Sequence, residues 1–179
     1  MTTPRNAPSL VDARALLELA GFALCHGVWT LHDGAPLPPT LLMDGADGRA
    51  LAQIPADNHG DALILCRGNV DSLGTGLRRS AIVYDGYVRE GGEPVDCVIV
   101  EARVGGHPEV VTVVQRYRPA DDPEGFAILG RPLFGGRLAE DERVRAEGFI
   151  DRGIGQHPAA VELWSSSWLP DAVDLRRTA

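Results

Sequence analysis

The chain has 179 residues and a formal net charge of −8, from 17 basic and 25 acidic residues. Its hydrophobic content of 44% and charged content of 23% are ordinary for one folded domain and exclude a collagen-like, coiled-coil or disordered chain. The acidic balance also disfavours a nucleic-acid partner or an anionic membrane surface, because both attract a concentrated positive charge.

The first predicted element is a helix over residues 9–21, which Ser9 would cap and Gly21 would end. The apolar stretch 23–32 then predicts a strand, and the three prolines within residues 35–39 exclude regular structure there.

Two short strands are predicted next, at 41–43 and 49–54, because turn residues separate them. A second helix is expected over 57–73, capped by Asp57 or Asn58 and ended by the Gly-Thr-Gly sequence at 74–76.

Residues 78–134 predict the core of the fold, an antiparallel meander rich in Val, Ile and Tyr. Its four strands are expected at 79–90, 94–105, 110–118 and 126–134. Gly-Gly at the first turn and a four-residue second turn at 106–109 fix an expected register. The expected pairs are Val83 with Val100, Tyr84 with Ile99, Val104 with Val111, and Val100 with Gln115.

This register divides the strand residues between two faces, neither of which is cleanly polar. One face carries Val83, Val98, Val100, Ala102, Val111, Val113 and Tyr117. The other carries Ile82, Tyr84, Cys97, Ile99 and Val114, interrupted by Glu101, Arg103, Arg116 and Arg118. A sheet with one wet face alternates sharply, so we expect both faces to be covered. Helices would cover one, and the C-terminal segment, a partner subunit or a ligand would cover the other.

The remaining chain, residues 135–179, is predicted to be irregular apart from a short helix at 139–148. Trp164 and Trp168 would share a helix face if their segment were helical. The prediction is therefore one α+β domain over residues 1–179, with an antiparallel meander of four or more strands packed by helices. A helix followed by a long meander, over about 57–134, resembles in outline the cystatin-like cone, which implies a pocket on the concave sheet face.

Two carboxylates are candidate catalytic residues. Asp85 lies mid-strand, where Asp is disfavoured, and on the apolar face; a bulge at Asp85-Gly86 that turns it to solvent is the alternative. Glu101 would act as a general base if burial raised its pKa.

Four side chains near Glu101 are candidate ligand-binding residues for a small anion: Tyr84, Arg103, Arg116 and Arg118. The alternative interpretation is a cross-strand network of ion pairs without a ligand.

No metal and no cofactor are predicted, because zinc-site spacing and nucleotide-binding glycine motifs are lacking. The three cysteines, Cys25, Cys66 and Cys97, are expected as buried structural thiols. On the predicted first strand, His26 and His32 would lie on one side and could share a metal with a distant third ligand.

The sequence favours a non-catalytic binding or accessory protein that acts as a homodimer through Ile82, Tyr84 or Ile99. One alternative is a cofactor-independent hydrolase or isomerase acting on a small anionic substrate with a carboxylate in a sheet pocket. Another is an immunity-type partner of a basic protein. We expect a cytoplasmic protein, since a signal peptide and a long apolar run are both lacking. A bacterium with a GC-rich genome is the expected source, because all 17 basic residues are Arg and because Ala, Gly, Pro and Val are abundant.

Overall fold

A computed structural model describes residues 10–72, 78–136 and 138–170. Within these ranges the chain forms four helices and seven strands. The helices are α1 Leu10–Leu31, α2 His59–Ser72, α3 Glu140–Ile154 and α4 Val161–Ser167. The strands are β1 Thr40–Gly45, β2 Gly48–Gln53, β3 Arg79–Glu90, β4 Glu93–Val104, β5 Val111–Arg118, β6 Ala127–Phe134 and β7 Trp168–Leu169.

The seven strands form one curled sheet in the order β2-β1-β3-β4-β5-β6-β7. All neighbours are antiparallel except β6 and β7, which are parallel. The predicted α+β class and antiparallel meander packed by helices are confirmed, and the arrangement is consistent with a cone-like fold. None of the described helices is both long and apolar enough to cross a membrane.

The beginning of the chain differs from the prediction. The expected helix at 9–21 and strand at 23–32 are in fact one helix, α1. Its second half is apolar on nearly every side because it lies between the sheet and α3, and periodicity does not separate such a buried helix from a strand. Gly21 does not end the helix; a Cβ there would lie 2.1 Å from the carbonyl oxygen of Ile150 in α3, so the glycine permits close packing.

The second helix and its cap agree with the prediction. Asn58, one of the two predicted caps, accepts a hydrogen bond at its Oδ1 from the backbone N–H of Asp61 at 2.9 Å. The predicted Ser9 cap and the glycine-rich end at 74–76 lie outside the described residues.

The first hairpin of the meander has the predicted pairs, and the second is shifted by two residues. Its corrected pairs are Ala102 with Val111 in place of Val104 with Val111, and Val100 with Val113 in place of Val100 with Gln115. The physical reason is the connection, which spans six residues, 105–110, instead of four. A shift of two keeps every side chain on its predicted face, since the strand period is two.

The sheet face that packs against α1 is called the α1 face, and it holds the main core. Fully buried residues of α1, among them Leu19, Leu24 and Val28, contact strand residues such as Val83 and Val100. Helix α3 packs on the other side of α1 and is longer than the predicted 139–148 helix.

The opposite sheet face, called the α2 face, is covered in part by α2. Leu41, Cys66, Val70 and Ile82 form a small buried cluster there. Ile82, an expected dimer contact, is therefore covered by the chain's own helix. All three cysteines are buried free thiols, as predicted, and burial raises the pKa of Cys25 to about 12.

The C-terminal part of the described chain adds a short helix and one strand. Trp164 lies in α4, but α4 ends at Ser167 and Trp168 begins β7. The helix face that the two indoles were expected to share is therefore not formed.

Candidate functional site

Asp85 lies on the α1 face of β3, opposite Val98, as the sequence predicts. The pairing of β3 with β4 runs without interruption past Gly86, so the alternative of a bulge at this point is wrong. The side chain of Asp85 is half-buried, and its Oδ1 accepts a hydrogen bond from the hydroxyl of Tyr117 at 2.8 Å. Burial is the main cause of a raised Tyr117 pKa, so this hydroxyl stays protonated and donates.

Two adjoining clefts meet at Asp85. The smaller, of about 290 Å³, lies between the end of α1 and the β5–β6 connection, and Leu31, Tyr117 and Asp121 line it together with Asp85. The larger, of about 860 Å³, extends beneath the segments 36–39 and 53–59. We call the two together the Asp85 clefts; the volume of the larger is within the usual range for ligand pockets, and that of the smaller is at its lower limit.

The electrostatic environment of Asp85 is negative. Asp96 and Asp121 are close enough that the pKa of Asp96 is raised, first by burial and then by the charges of Asp85 and Asp121. In the parts of the chain that the structure describes, no basic side chain forms an ion pair with Asp85, whose hydrogen-bond partner is the neutral Tyr117 hydroxyl. Such a site repels an anion and attracts a cation.

Proline residues form much of the wall of the Asp85 clefts. The larger cleft is lined by Pro36, Pro38, Pro39 and Pro55, and the smaller by Pro36 and Pro119. Proline has no backbone N–H, so these positions lack a backbone donor. The carbonyl oxygens of Pro38, Pro39 and Pro119 already accept hydrogen bonds from within the chain.

Glu101 lies on the α2 face, and its carboxylate is already paired with the guanidinium of Arg67. Its carboxylate accepts hydrogen bonds from Arg67 Nε at 3.0 Å and from the Tyr84 hydroxyl at 2.9 Å. The hydrogen bond from Arg67 is the main cause of a lowered Glu101 pKa, so the group is a weak base. Burial is the main cause that raises the pKa of Tyr84 to about 12. The sequence did not identify Arg67 as the partner.

The three predicted anion-binding arginines are separated and paired. Arg103 forms an ion pair with Asp71 at 2.5 Å, and Arg116 contacts Glu90 at 3.0 Å. Arg118 donates to the carbonyl oxygen of Gly125 at 2.8 Å and pairs with nearby acids of the β5–β6 connection. These arginines are therefore ion-paired, but only Arg116 pairs with an acid on another strand, so they do not form the cross-strand network of the alternative interpretation.

The two predicted catalytic carboxylates do not face each other. Asp85 is on the α1 face and Glu101 on the α2 face, because they lie at β3 and β4 positions of opposite side-chain direction. Arg116 pairs across the sheet with Cys97, four residues from Glu101, which corresponds to about 13 Å along the strand. The sheet therefore keeps these groups apart, and they do not meet at one site.

His26 lies in α1 and His32 directly follows this helix, so the arrangement expected for them on a strand is wrong. His26 Nδ1 instead lies 3.3 Å from His157 Nε2, and His32 Nδ1 lies 2.6 Å from the carbonyl oxygen of Trp29. Burial lowers the pKa of both His26 and His157. Among the described residues no cluster of three or more His, Cys, Asp or Glu could hold a metal ion.

Sequence reasoning found Asp85 but missed its surroundings. Tyr117 was placed on the correct face, but its hydrogen bond to Asp85 was not predicted. Comparison of the chain with family models, curated proteins and solved structures gave no match.

Proposed function

We propose that this protein is a non-catalytic binding protein for a basic partner, whose Arg or Lys side chain enters the Asp85 clefts. The observation that carries the proposal is the half-buried Asp85 carboxylate, which meets both clefts and has no basic partner among the described residues. A guanidinium or ammonium would supply the missing counter-charge and would donate to the carboxylate.

The charge of the whole chain supports a basic partner. A net charge of −8 attracts a basic protein over long range and accelerates association. The same charge and the cluster around Asp85 disfavour the small anionic ligand considered from the sequence.

The placement of the ionisable groups supports binding over catalysis. The two candidate acids lie on opposite faces, and Arg67 holds Glu101 in its ionised form. Cofactor-independent acid–base catalysis by this pair would require both groups at one substrate.

A row of side chains across the α2 face supports a homodimer as part of the proposal. Tyr84 pairs with Ile99, Ile99 with Val114, and Val114 with Leu133, so four largely apolar side chains cross four strands. Leu133 is 42% exposed. A row of this kind can pack against its own copy across a two-fold axis.

The basic-partner proposal is tested by fluorescence anisotropy with a labelled hexa-arginine peptide. Asp85→Asn is expected to weaken binding about tenfold or more, because it removes a charge-assisted hydrogen bond. Asp47→Asn removes the same charge at an exposed turn and should change the affinity little. A hexa-citrulline peptide, which keeps the shape and loses the charge, should not bind.

Equal weakening by Asp85→Asn and Asp47→Asn would show that general charge attraction, and not the Asp85 clefts, holds the peptide. That result would reject the proposed site.

The homodimer is tested by sedimentation velocity over a range of concentrations. Leu133→Asp should convert a dimer to monomer, whereas Leu51→Asp, a leucine of similar exposure (45%) on β2, should not. A monomeric wild-type chain at high concentration would reject this part of the proposal.

A further inference from the structure

A third cavity lies at the β6–β7 end of the sheet and is lined by residues of β6, α3, α4 and β7. Its volume is about 320 Å³, and Arg131, Pro132, Glu147, Asp151, Trp164, Ser165 and Trp168 line it. None of these residues lines the Asp85 clefts. The cavity therefore combines two indole rings with two carboxylates at a separate site.

The indole of Trp168 is held in place at the cavity. Its Nε1 donates a hydrogen bond to the carbonyl oxygen of Gly130 at 3.0 Å, and its backbone pairs with Ile128 of β6. The side chain nevertheless remains 41% exposed. Trp164 packs against the main core, so both rings are fixed by the fold before any ligand arrives.

The two carboxylates lie one helical turn apart on α3 and have different surroundings. Glu147 is buried and pairs with Arg131 and, at 3.3 Å, with Arg143. Asp151 forms no ion pair within the described ranges. Asp151 is exposed at the cavity. Partial desolvation is the main cause of its raised pKa, the charge of Arg131 lowers the pKa, and that of Glu147 raises it.

We propose that this cavity, called the indole pocket, binds a small organic cation, such as a quaternary or alkylated ammonium group. An indole ring attracts a weakly hydrated cation through its π-electrons, and the carboxylate of Asp151 supplies the counter-charge. The cavity is of a size for such a group together with a short substituent.

Other ligand classes fit the indole pocket less well. An anion would depend on Arg131, which Glu147 already occupies, and would meet the charge of Asp151. A metal ion would require more ligands than the described side chains bring together, since no group of three His, Cys, Asp or Glu is present there.

The indole pocket is independent of the proposed basic partner, because the two sites share no lining residue. A variant that no longer binds hexa-arginine should still bind a cation in the indole pocket. A variant that no longer binds a cation in the indole pocket should still bind hexa-arginine. The two proposals can thus fail separately.

The test is isothermal titration calorimetry with choline and with 3,3-dimethyl-1-butanol, its neutral isostere. Choline should bind, and the isostere should bind about tenfold more weakly or not measurably. Trp168→Leu and Asp151→Asn should each weaken choline binding by about tenfold. Trp29→Leu is the matched control, since Trp29 is 40% exposed but lies outside the pocket, and it should leave the affinity unchanged.

The proposal is overturned if choline fails to bind at high millimolar concentration, or if the isostere binds equally well. It is also overturned if Trp29→Leu weakens binding as much as Trp168→Leu does. Circular dichroism melting of each variant establishes that it is folded, and Asp151→Asn, which changes little volume, decides the question if Trp168→Leu does not fold.

Discussion

The neighbouring strands β3 and β4 each carry a carboxylate near their middle, but the two acids meet opposite environments. Asp85 on the α1 face receives a hydrogen bond from a neutral tyrosine hydroxyl. Glu101 on the α2 face receives one from a tyrosine hydroxyl and further ones from a guanidinium. The difference is one arginine, Arg67, supplied by the helix that covers the α2 face.

The coverings of the two faces explain this difference. Helix α1 packs closely between the sheet and α3 and ends at Leu31, so the part of β3 beyond it borders open clefts. Helix α2 contacts the sheet less extensively than α1 does, and its Arg67 reaches Glu101 of the sheet. Asp85 remains accessible because it lies beyond the end of the tightly packed α1 layer. Glu101 is neutralised because the helix that covers it, α2, supplies Arg67.

The largest expected effect comes from breaking the packing of the α1 layer. A Cβ at Gly153 of α3 would lie 2.0 Å from the carbonyl oxygen of Glu18, which is backbone and cannot rotate away. Gly153→Ala should therefore lower the free energy of unfolding by about 3 kcal/mol or more. Chemical denaturation measures this change.

Gly148→Ala on the same helix is the matched control. Nothing lies within 4 Å of a Cβ there, so alanine should stabilise the protein by up to about 1 kcal/mol through its helix propensity. Similar destabilisation by both substitutions would contradict the close-packing account.

The next effect concerns the ion pair on the α2 face. Because the pKa of Glu101 is lowered in the folded state, its ionised form stabilises the protein above its ordinary pKa of 4.5. This stabilisation is lost as the pH falls through the folded value. We expect Glu101→Gln and Arg67→Gln each to reduce the slope of unfolding free energy against pH on the acid side. Each should lower the free energy of unfolding at neutral pH by about 1 kcal/mol. Thermal melts from pH 3 to 7 measure the slope, and an unchanged slope would contradict the pairing.

Removing each tyrosine hydroxyl compares the two carboxylates directly, because each accepts a hydrogen bond from one tyrosine. Tyr117→Phe deprives Asp85 of its hydrogen-bond donor, whereas Tyr84→Phe leaves Glu101 paired with Arg67. We expect the first to destabilise by about 1 kcal/mol and the second by less. Urea denaturation of the two variants measures both, and the reverse order would contradict the account.

The smallest expected effect is the pH dependence of the histidine pair beside α1. Burial lowers the pKa of His26 and His157, so the unfolded chain binds more protons just below pH 6.5. Stability contributed by the neutral pair is complete above pH 6.5 and is lost as the pH falls toward the folded values. His157→Gln should reduce this loss in melts from pH 5 to 8.

The meander could be predicted because its turns carry Gly, Asp and Pro and its strands are rich in β-branched residues. Asp85 stood out because an acid in mid-strand is unusual. The continuity of α1 could not be predicted, since Gly21 serves close packing with a helix more than a hundred residues away. Arg67 was missed for a related reason: local spacing does not show which face α2 covers.

The most direct test reads both carboxylates in one sample. Side-chain carboxyl ¹³C resonances of Asp85 and Glu101 are followed by NMR while hexa-arginine peptide is added. The account predicts that the Asp85 resonance shifts and saturates, because a guanidinium reaches it, while the Glu101 resonance stays in place, because Arg67 already occupies it. A shift of Glu101 with Asp85 unmoved would contradict the account.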